Sequence, residues 1–182
     1  MKSSPKKIVI SGARAIALVG ITAATVECAK LVLAALPNIE IVTLLIGLYG
    51  YVFGWYGVLA SLVFVSIEPL IYGFGTWIIS YYIHWPIVAL VFMLLGRLKV
   101  KNRWIITLTA LVLTFFFGIL TSLIDVGLLS GNFDRFFYRF AVYYGRGIVF
   151  YVLHLACNAV LFPFAFNFLV NKLKAIKRQF FK

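Results

Sequence analysis

Six long apolar runs constrain the fold of this chain more than any other feature. A helix needs roughly 20 apolar residues to cross a bilayer. Of the 182 residues, 64% are hydrophobic and only 12% are charged, which is too few polar groups to cover a soluble domain. We predict one all-α integral membrane domain over residues 1–182, a compact bundle with spans at about 13–36, 41–56, 58–72, 77–98, 104–129 and 145–170.

The net charge of +12 is concentrated in three basic clusters. They lie at the N-terminus, in the loop between spans four and five, and in the C-terminal tail: Lys2, Lys6, Lys7 and Arg14; Arg97, Lys99, Lys101 and Arg103; Lys172, Lys174, Lys177, Arg178 and Lys182. Because basic loops remain cytoplasmic, both termini are predicted to be cytoplasmic. The placement also argues against nucleic acid as a partner, since no basic run alternates with exposed stacking aromatics.

The acidic residues all fall in the outer halves of the predicted spans or in outer loops. They are Glu27, Glu40, Glu68, Asp125 and Asp134. Ionisable groups inside a membrane are costly and usually functional. A channel would need polar groups through the full depth of the bilayer, so this distribution favours an outward-facing pocket.

The stretch from Ser66 to Trp77, continuing to His84, is the strongest candidate for the pocket. Gly73 and Gly75 permit a tight turn between two helices, and Pro69 weakens the helix before that turn. The turn is predicted to present five side chains to one cavity: Glu68, Tyr72, Trp77, Tyr81 and His84.

Other candidates come from the outer ends of spans five and six, and from span six itself. They are Asp125, Arg139 and Arg146, with His154 and Asn158 one helical turn apart. Each candidate also has a structural interpretation. Glu68 could only pair with Lys30, the aromatic rings could form an interfacial belt, and His84 could be a packing residue. Arg139 and Arg146 could bind lipid phosphates, and His154 and Asn158 could join helices. Phenylalanines from Phe133 to Phe140 recur at helical spacing, which predicts a short interfacial helix in the outer loop 130–144.

Span one carries small residues on one helix face, at Ala13, Ala17, Gly20 and Ala24. Steps of three and four residues keep them aligned. Such a face lets a second helix approach closely in lipid. That helix could belong to this chain or to a partner subunit.

Three stretches together resemble the S components of energy-coupling-factor (ECF) vitamin transporters. They are Leu36 to Leu45 (LPNIEIVTLL), Glu68 to Gly75 (EPLIYGFG) and Leu153 to Asn158 (LHLACN). The small-residue face of span one is similar to the surface through which such subunits contact the transmembrane coupling subunit.

The resemblance implies a substrate-binding subunit in a bacterial cell membrane that captures a vitamin outside. It would bind no covalent cofactor and no metal, and ATP would be used by two partner ATPase subunits. The chain looks most similar to the cobalamin branch, with a pyridoxine-like vitamin as the alternative. It has no G-x-x-x-x-G-K-[ST] phosphate loop, no H-x-x-x-H pair and no recognisable nucleophile motif, so no enzyme activity is expected. A small stand-alone secondary transporter remains the alternative from another class.

Overall fold

The computed structural model describes residues 12–35, 39–128, 130 and 133–180, except the side chains of 179 and 180. The helices in chain order are α1 (Gly12–Leu33), α2 (Val42–Phe53), α3 (Trp55–Tyr72), α4 (Trp77–Arg97), α5 (Arg103–Leu123), α6 (Phe136–Leu161) and α7 (Asn167–Phe180). A π-helical turn at Ile124–Leu128 extends α5, and another at Phe162–Phe166 joins α6 to α7. No strand occurs in these residues, so the all-α prediction is confirmed for them.

Five helical segments are long and apolar enough to cross a membrane. They are Gly12–Leu33, Trp55–Tyr72, Trp77–Arg97, Arg103–Leu128 and Phe136–Arg178. The predicted second span, 41–56, is different, because α2 has only 12 residues. At 1.5 Å per residue it is about 18 Å long, which is shorter than the hydrocarbon core. The described part of the chain thus has the helices expected of a multi-pass membrane protein, five segments long enough to cross a bilayer and one shorter apolar helix.

The short helix α2 is the centre of the bundle. Every α2 residue except Leu45 is buried, as expected of a helix that is apolar on all sides. Its most extensive contact is with α4. Two glycines allow this approach, since a Cβ on Gly50 would lie 2.3 Å from the Ala89 carbonyl oxygen and one on Gly96 would lie 2.3 Å from that of Tyr51.

We therefore expect Gly50→Ala to destabilise the protein by about 3 kcal/mol, because the clash is with backbone and not with a movable side chain. Thermal unfolding followed by tryptophan fluorescence in detergent would measure the loss. Gly20→Ala is the matched control, because the Cβ there meets no atom within 4 Å. It should leave stability unchanged or raise it by about 1 kcal/mol through helix propensity. Equal stability of the two variants would contradict the close packing of α2 on α4.

Several helix ends are explained by the residue that stands there. Gly54 and Gly73 have φ of +63° and +79°, a region open to glycine, and they separate α2 from α3 and end α3. Asn102 begins α5, where its side-chain oxygen accepts hydrogen bonds from the backbone N–H groups of Trp104 and Ile105.

The last predicted span, 145–170, is too short, and the predicted outer loop 130–144 is mostly helix. Helix α6 begins at Phe136 and continues through the π-helical turn into α7. Rings four residues apart stack along its first turns, with centroids 6.3 Å apart for Phe136 and Phe140 and 5.9 Å apart for Phe140 and Tyr144. These i, i+4 contacts stabilise helix. Phe136, Phe137 and Phe140, which were predicted to belong to a separate interfacial helix, therefore lie in the first turns of α6, and Phe133 precedes it.

Candidate functional site

A cavity of about 240 Å³ lies at the end of the bundle opposite the loop that joins α4 to α5. The end of α1, the residues leading into α2, the end of α3 and the start of α4 surround it, with α5 and α6 on the remaining side. Its polar and aromatic lining residues are Lys30, Glu40, Tyr72, Tyr81, Trp85, Phe117, Phe150 and His154. Three of the ten predicted binding residues are among them, namely Tyr72, Tyr81 and His154.

Glu68 is paired with Lys30, the partner that the sequence left open. Glu68 is 1% exposed and lies behind the cavity wall, while the Lys30 ammonium forms the ion pair and lines the cavity. That ammonium also lies 4.2 Å from the centre of the Tyr72 ring and 5.7 Å from that of Tyr81. Cation–π attraction and the buried carboxylate therefore hold a positive charge at the wall. The site prediction omitted Lys30, although its charge within an apolar span was a visible signal.

A second carboxylate, that of Glu27, faces Glu68 and Lys30. Glu27 is buried, and within the described part of the chain neither of its oxygens has a hydrogen-bond donor. One oxygen of Glu68 is in the same situation. Two buried carboxylates therefore face one ammonium at this wall of the cavity. Glu27 lies three residues before Lys30, so helical spacing alone predicts that the two share a face.

The aromatic residues of α4 form a ladder along one helix face. The rings of Trp77 and Tyr81 have centroids 4.9 Å apart, and those of Tyr81 and Trp85 are 5.6 Å apart, both edge to face. Phe117 of α5 lies 6.0 Å from the Tyr81 ring. Tyr81 and Trp85 reach the cavity, whereas Trp77 supports Tyr81 from behind and is not a lining residue.

The two histidines have different surroundings. His84 is buried between the rings of Trp85 and Phe117, at 4.8 and 4.7 Å, and does not line the cavity. His154 lines the cavity and contacts the Phe150 ring, 3.9 Å away. The structure therefore places His84 as the packing residue that the sequence allowed, and His154 as a candidate for ligand contact.

Asn158 joins three parts of the chain below the cavity. It is fully buried, and its side-chain amide donates to Glu40 Oε2 at 2.8 Å and to Thr114 Oγ1 at 2.9 Å. The other Glu40 oxygen accepts from the backbone N–H of Thr43, in the first turn of α2. Asn158 thus connects helices, while Glu40, which was not among the predicted site residues, is the carboxylate at the cavity.

Asp125, Arg139 and Arg146 do not line this cavity. Arg146 is exposed, and Asp125 lies beside the Tyr143 hydroxyl, with Arg146 nearby. The reason is the position along α6. Phe150 is the first α6 residue that lines the cavity, and Arg146 lies four positions, about one helical turn, before it. Asp125, Arg139 and Arg146 were predicted to line one pocket together with the aromatic residues of α4, and none of them lines this cavity.

The predicted docking face is exposed over its whole length. Ala13, Ala17, Gly20 and Ala24 are all exposed, so other described parts of this chain do not cover them. Beside Gly20 lies an apolar groove of about 450 Å³ between α1 and α3, lined by Ala15, Ile16, Val19, Tyr56, Leu59, Leu62 and Val63.

Within the described residues, no three His, Cys, Asp or Glu side chains lie close enough together to hold a metal ion. The cavity chemistry is instead that of one ammonium, one carboxylate, one imidazole and two phenols among aromatic rings. Such a set can hydrogen-bond a small polar molecule and stack against its ring. No family model, no curated protein and no solved structure matches this chain.

Proposed function

We propose that this chain is a substrate-binding membrane subunit of the ECF S-component type and that it captures a small vitamin-like molecule in the cavity above α2. The observation that carries the proposal is the convergence of Lys30, Glu40, Tyr72, Tyr81 and His154 on one cavity inside an otherwise apolar bundle. Polar groups in a membrane span are costly unless they serve a ligand or a partner.

The cavity volume favours the smaller of the two vitamins that the sequence left open. Ligand sites of drug-sized molecules occupy roughly 300–1,000 Å³, and this cavity has about 240 Å³. Cobalamin, with its corrin ring and nucleotide tail, is far larger than that. A single aromatic ring with hydroxyl or amino substituents, as in a pyridoxine-like vitamin, matches both the volume and the lining.

Each lining group has a role in this proposal. The rings of Tyr81 and Trp85 offer an aromatic wall for a flat ligand. Lys30 donates hydrogen bonds to an acceptor on the ligand, and Glu40 accepts one from a hydroxyl or amine. The ion pair of Lys30 with Glu68 keeps the ammonium in place before the ligand arrives, which reduces the cost of ordering it on binding.

The partner proposal rests on α1. Its exposed small-residue face and the neighbouring apolar groove between α1 and α3 suit a helix of a transmembrane coupling subunit. Two ATPase subunits would then supply the energy. With the basic ends cytoplasmic, the cavity faces outward in a bacterial cell membrane.

The proposal is tested by calorimetry of the purified protein against a vitamin panel. A pyridoxine-like compound is expected to bind, and cobalamin is not. Binding of cobalamin alone would overturn the assignment by volume, and binding of no vitamin would overturn the proposed function.

Cavity variants give a sharper prediction. Tyr72→Ala and His154→Ala should each weaken binding of the panel ligand at least about tenfold, because an aromatic or hydrogen-bonding group that the ligand covers typically contributes ~2 kcal/mol or more. Arg146→Ala is the control, since Arg146 is exposed and outside the cavity. If Arg146→Ala weakens binding and the two cavity variants do not, the site lies on the outer face of α6.

The buried carboxylates favour one second candidate, a proton-coupled secondary transporter. Glu27 and Glu68 face each other beside Lys30, and proton relays of transporters are built from such carboxylates within membrane helices. Uptake by this chain alone in liposomes, driven by a proton gradient and lost in Glu27→Gln, would favour that function. Uptake only with coupling and ATPase subunits present would favour the S component.

A further inference from the structure

A further groove, distinct from the one between α1 and α3, lies between α1, the last turn of α2 and α7. It is at the end of the bundle opposite the proposed vitamin cavity. It has a volume of about 370 Å³ and is mostly apolar, with Leu18, Ile21, Phe53 and Leu173 among its lining residues. Two cations stand at it, Arg14 from the first turn of α1 and Lys177 from α7. The groove thus combines an apolar wall with positive charge.

The cationic part continues beyond this groove. Lys177 also lines an adjoining pocket of about 570 Å³, whose other lining residues are Asn171, Lys174 and Arg178. Lys177 is held in position because its ammonium donates to the Val52 carbonyl oxygen at 2.6 Å. None of the lining residues of either pocket is acidic, so no carboxylate of a described lining residue balances the positive charge there.

The length of the apolar part matches one leaflet of a bilayer. The groove follows α1 from Arg14 to Thr25. Eleven residues of helix rise about 16 Å, and half of the hydrocarbon core is about 15 Å. An acyl chain lying along this groove would place its headgroup beside Arg14 and Lys177.

We propose that this groove is a binding site for an anionic phospholipid of the leaflet that contains the basic ends of the helices. The phosphate lies between Arg14 and Lys177, the rest of the headgroup enters the pocket of Lys174 and Arg178, and one acyl chain lies along Leu18 and Ile21. Basic pockets between membrane helices on the cytoplasmic side are the sites that select anionic headgroups. The proposal is independent of the vitamin.

The test is native mass spectrometry of the detergent-purified full chain, titrated with phosphatidylglycerol or with phosphatidylcholine of the same acyl chains. Phosphatidylglycerol is expected to bind at least about tenfold more tightly, since each nearby cation contributes to the attraction. Arg14→Gln with Lys177→Gln should remove that preference. The control variant, Lys99→Gln with Arg103→Gln, removes one lysine and one arginine from the same end of the bundle but away from the groove. It should keep the preference for phosphatidylglycerol.

Ala17→Phe fills the groove without changing charge and should weaken binding of both lipids. If the double variant fails to fold, Arg14→Gln alone takes its place, because Arg14 is exposed. Equal binding of the two lipids by the unaltered protein, or an equal loss in the Lys99 and Arg103 control, would overturn the proposal. An absence of bound lipid would also overturn the proposal and would favour a partner helix as the occupant of the groove. No readout uses the vitamin, so failure here leaves the proposed function standing.

Discussion

Lys30→Met is expected to destabilise the protein by about 3 kcal/mol and to abolish ligand binding. The change removes the only cation that faces Glu68 and Glu27 in the described structure, and it leaves two buried carboxylates without charge compensation. Breaking a buried ion pair from one side typically costs 3–5 kcal/mol. We expect the lower end, because the Lys30 side chain is 26% exposed. Thermal unfolding and calorimetry on the same preparations would measure the two effects.

A double variant separates the two losses. Lys30→Met combined with Glu68→Gln removes both charges of the pair and should recover part of the stability, since only Glu27 then remains as a buried carboxylate without a cation. Binding should remain absent, because the ammonium at the cavity wall is still missing. Wild-type stability of Lys30→Met alone would contradict the ion pair, and wild-type binding by the double variant would contradict the role of Lys30 at the site.

The second large effect is expected on the docking face. Ala17→Trp with Gly20→Trp should abolish uptake in cells that contain the coupling and ATPase subunits, because two indole rings would keep a partner helix from approaching α1. Binding of vitamin by the isolated subunit should be unchanged, since neither residue lines the cavity. Uptake of labelled vitamin and copurification with the coupling subunit are the measurements.

Val32→Trp is the control for this pair. Val32 lies on the same helix and is 77% exposed, but it lies about 60° around the helix from Ala17 and about 120° from Gly20. It should leave uptake intact. Normal complex assembly and uptake in the Ala17 and Gly20 variant would mean that the small residues do not contact a partner.

Residue spacing along a helix was sufficient to predict some of the neighbouring side chains in the site. The steps of four between Trp77, Tyr81 and Trp85 placed their rings on one face of α4, and the structure shows them in edge-to-face contact. The same argument aligned the small residues of α1. Within a single helix, spacing determines which side chains are neighbours.

Residue spacing did not predict where α6 begins, and the predicted positions of Arg139 and Arg146 relative to its start were therefore wrong. The sixth span was predicted to begin at Gly145, yet the helix starts at Phe136, because ring contacts four residues apart stabilise its first turns. Arg146 lies one helical turn before Phe150, the first α6 residue that lines the cavity. The predicted grouping of Arg139 and Arg146 with the aromatic residues of α4 is therefore absent from the cavity.

The sequence by itself determined the apolar helices, the basic ends and the local neighbours along each helix. These properties depend on composition and on a periodicity that each segment carries alone. Only the tertiary structure decided that α2 is the buried centre, that Lys30 and not Glu68 reaches the cavity, and that Asn158 binds Glu40 and Thr114. Those outcomes depend on how helices rotate against one another, and that rotation is set by contacts between residues as far as 125 positions apart. No local pattern contains that information.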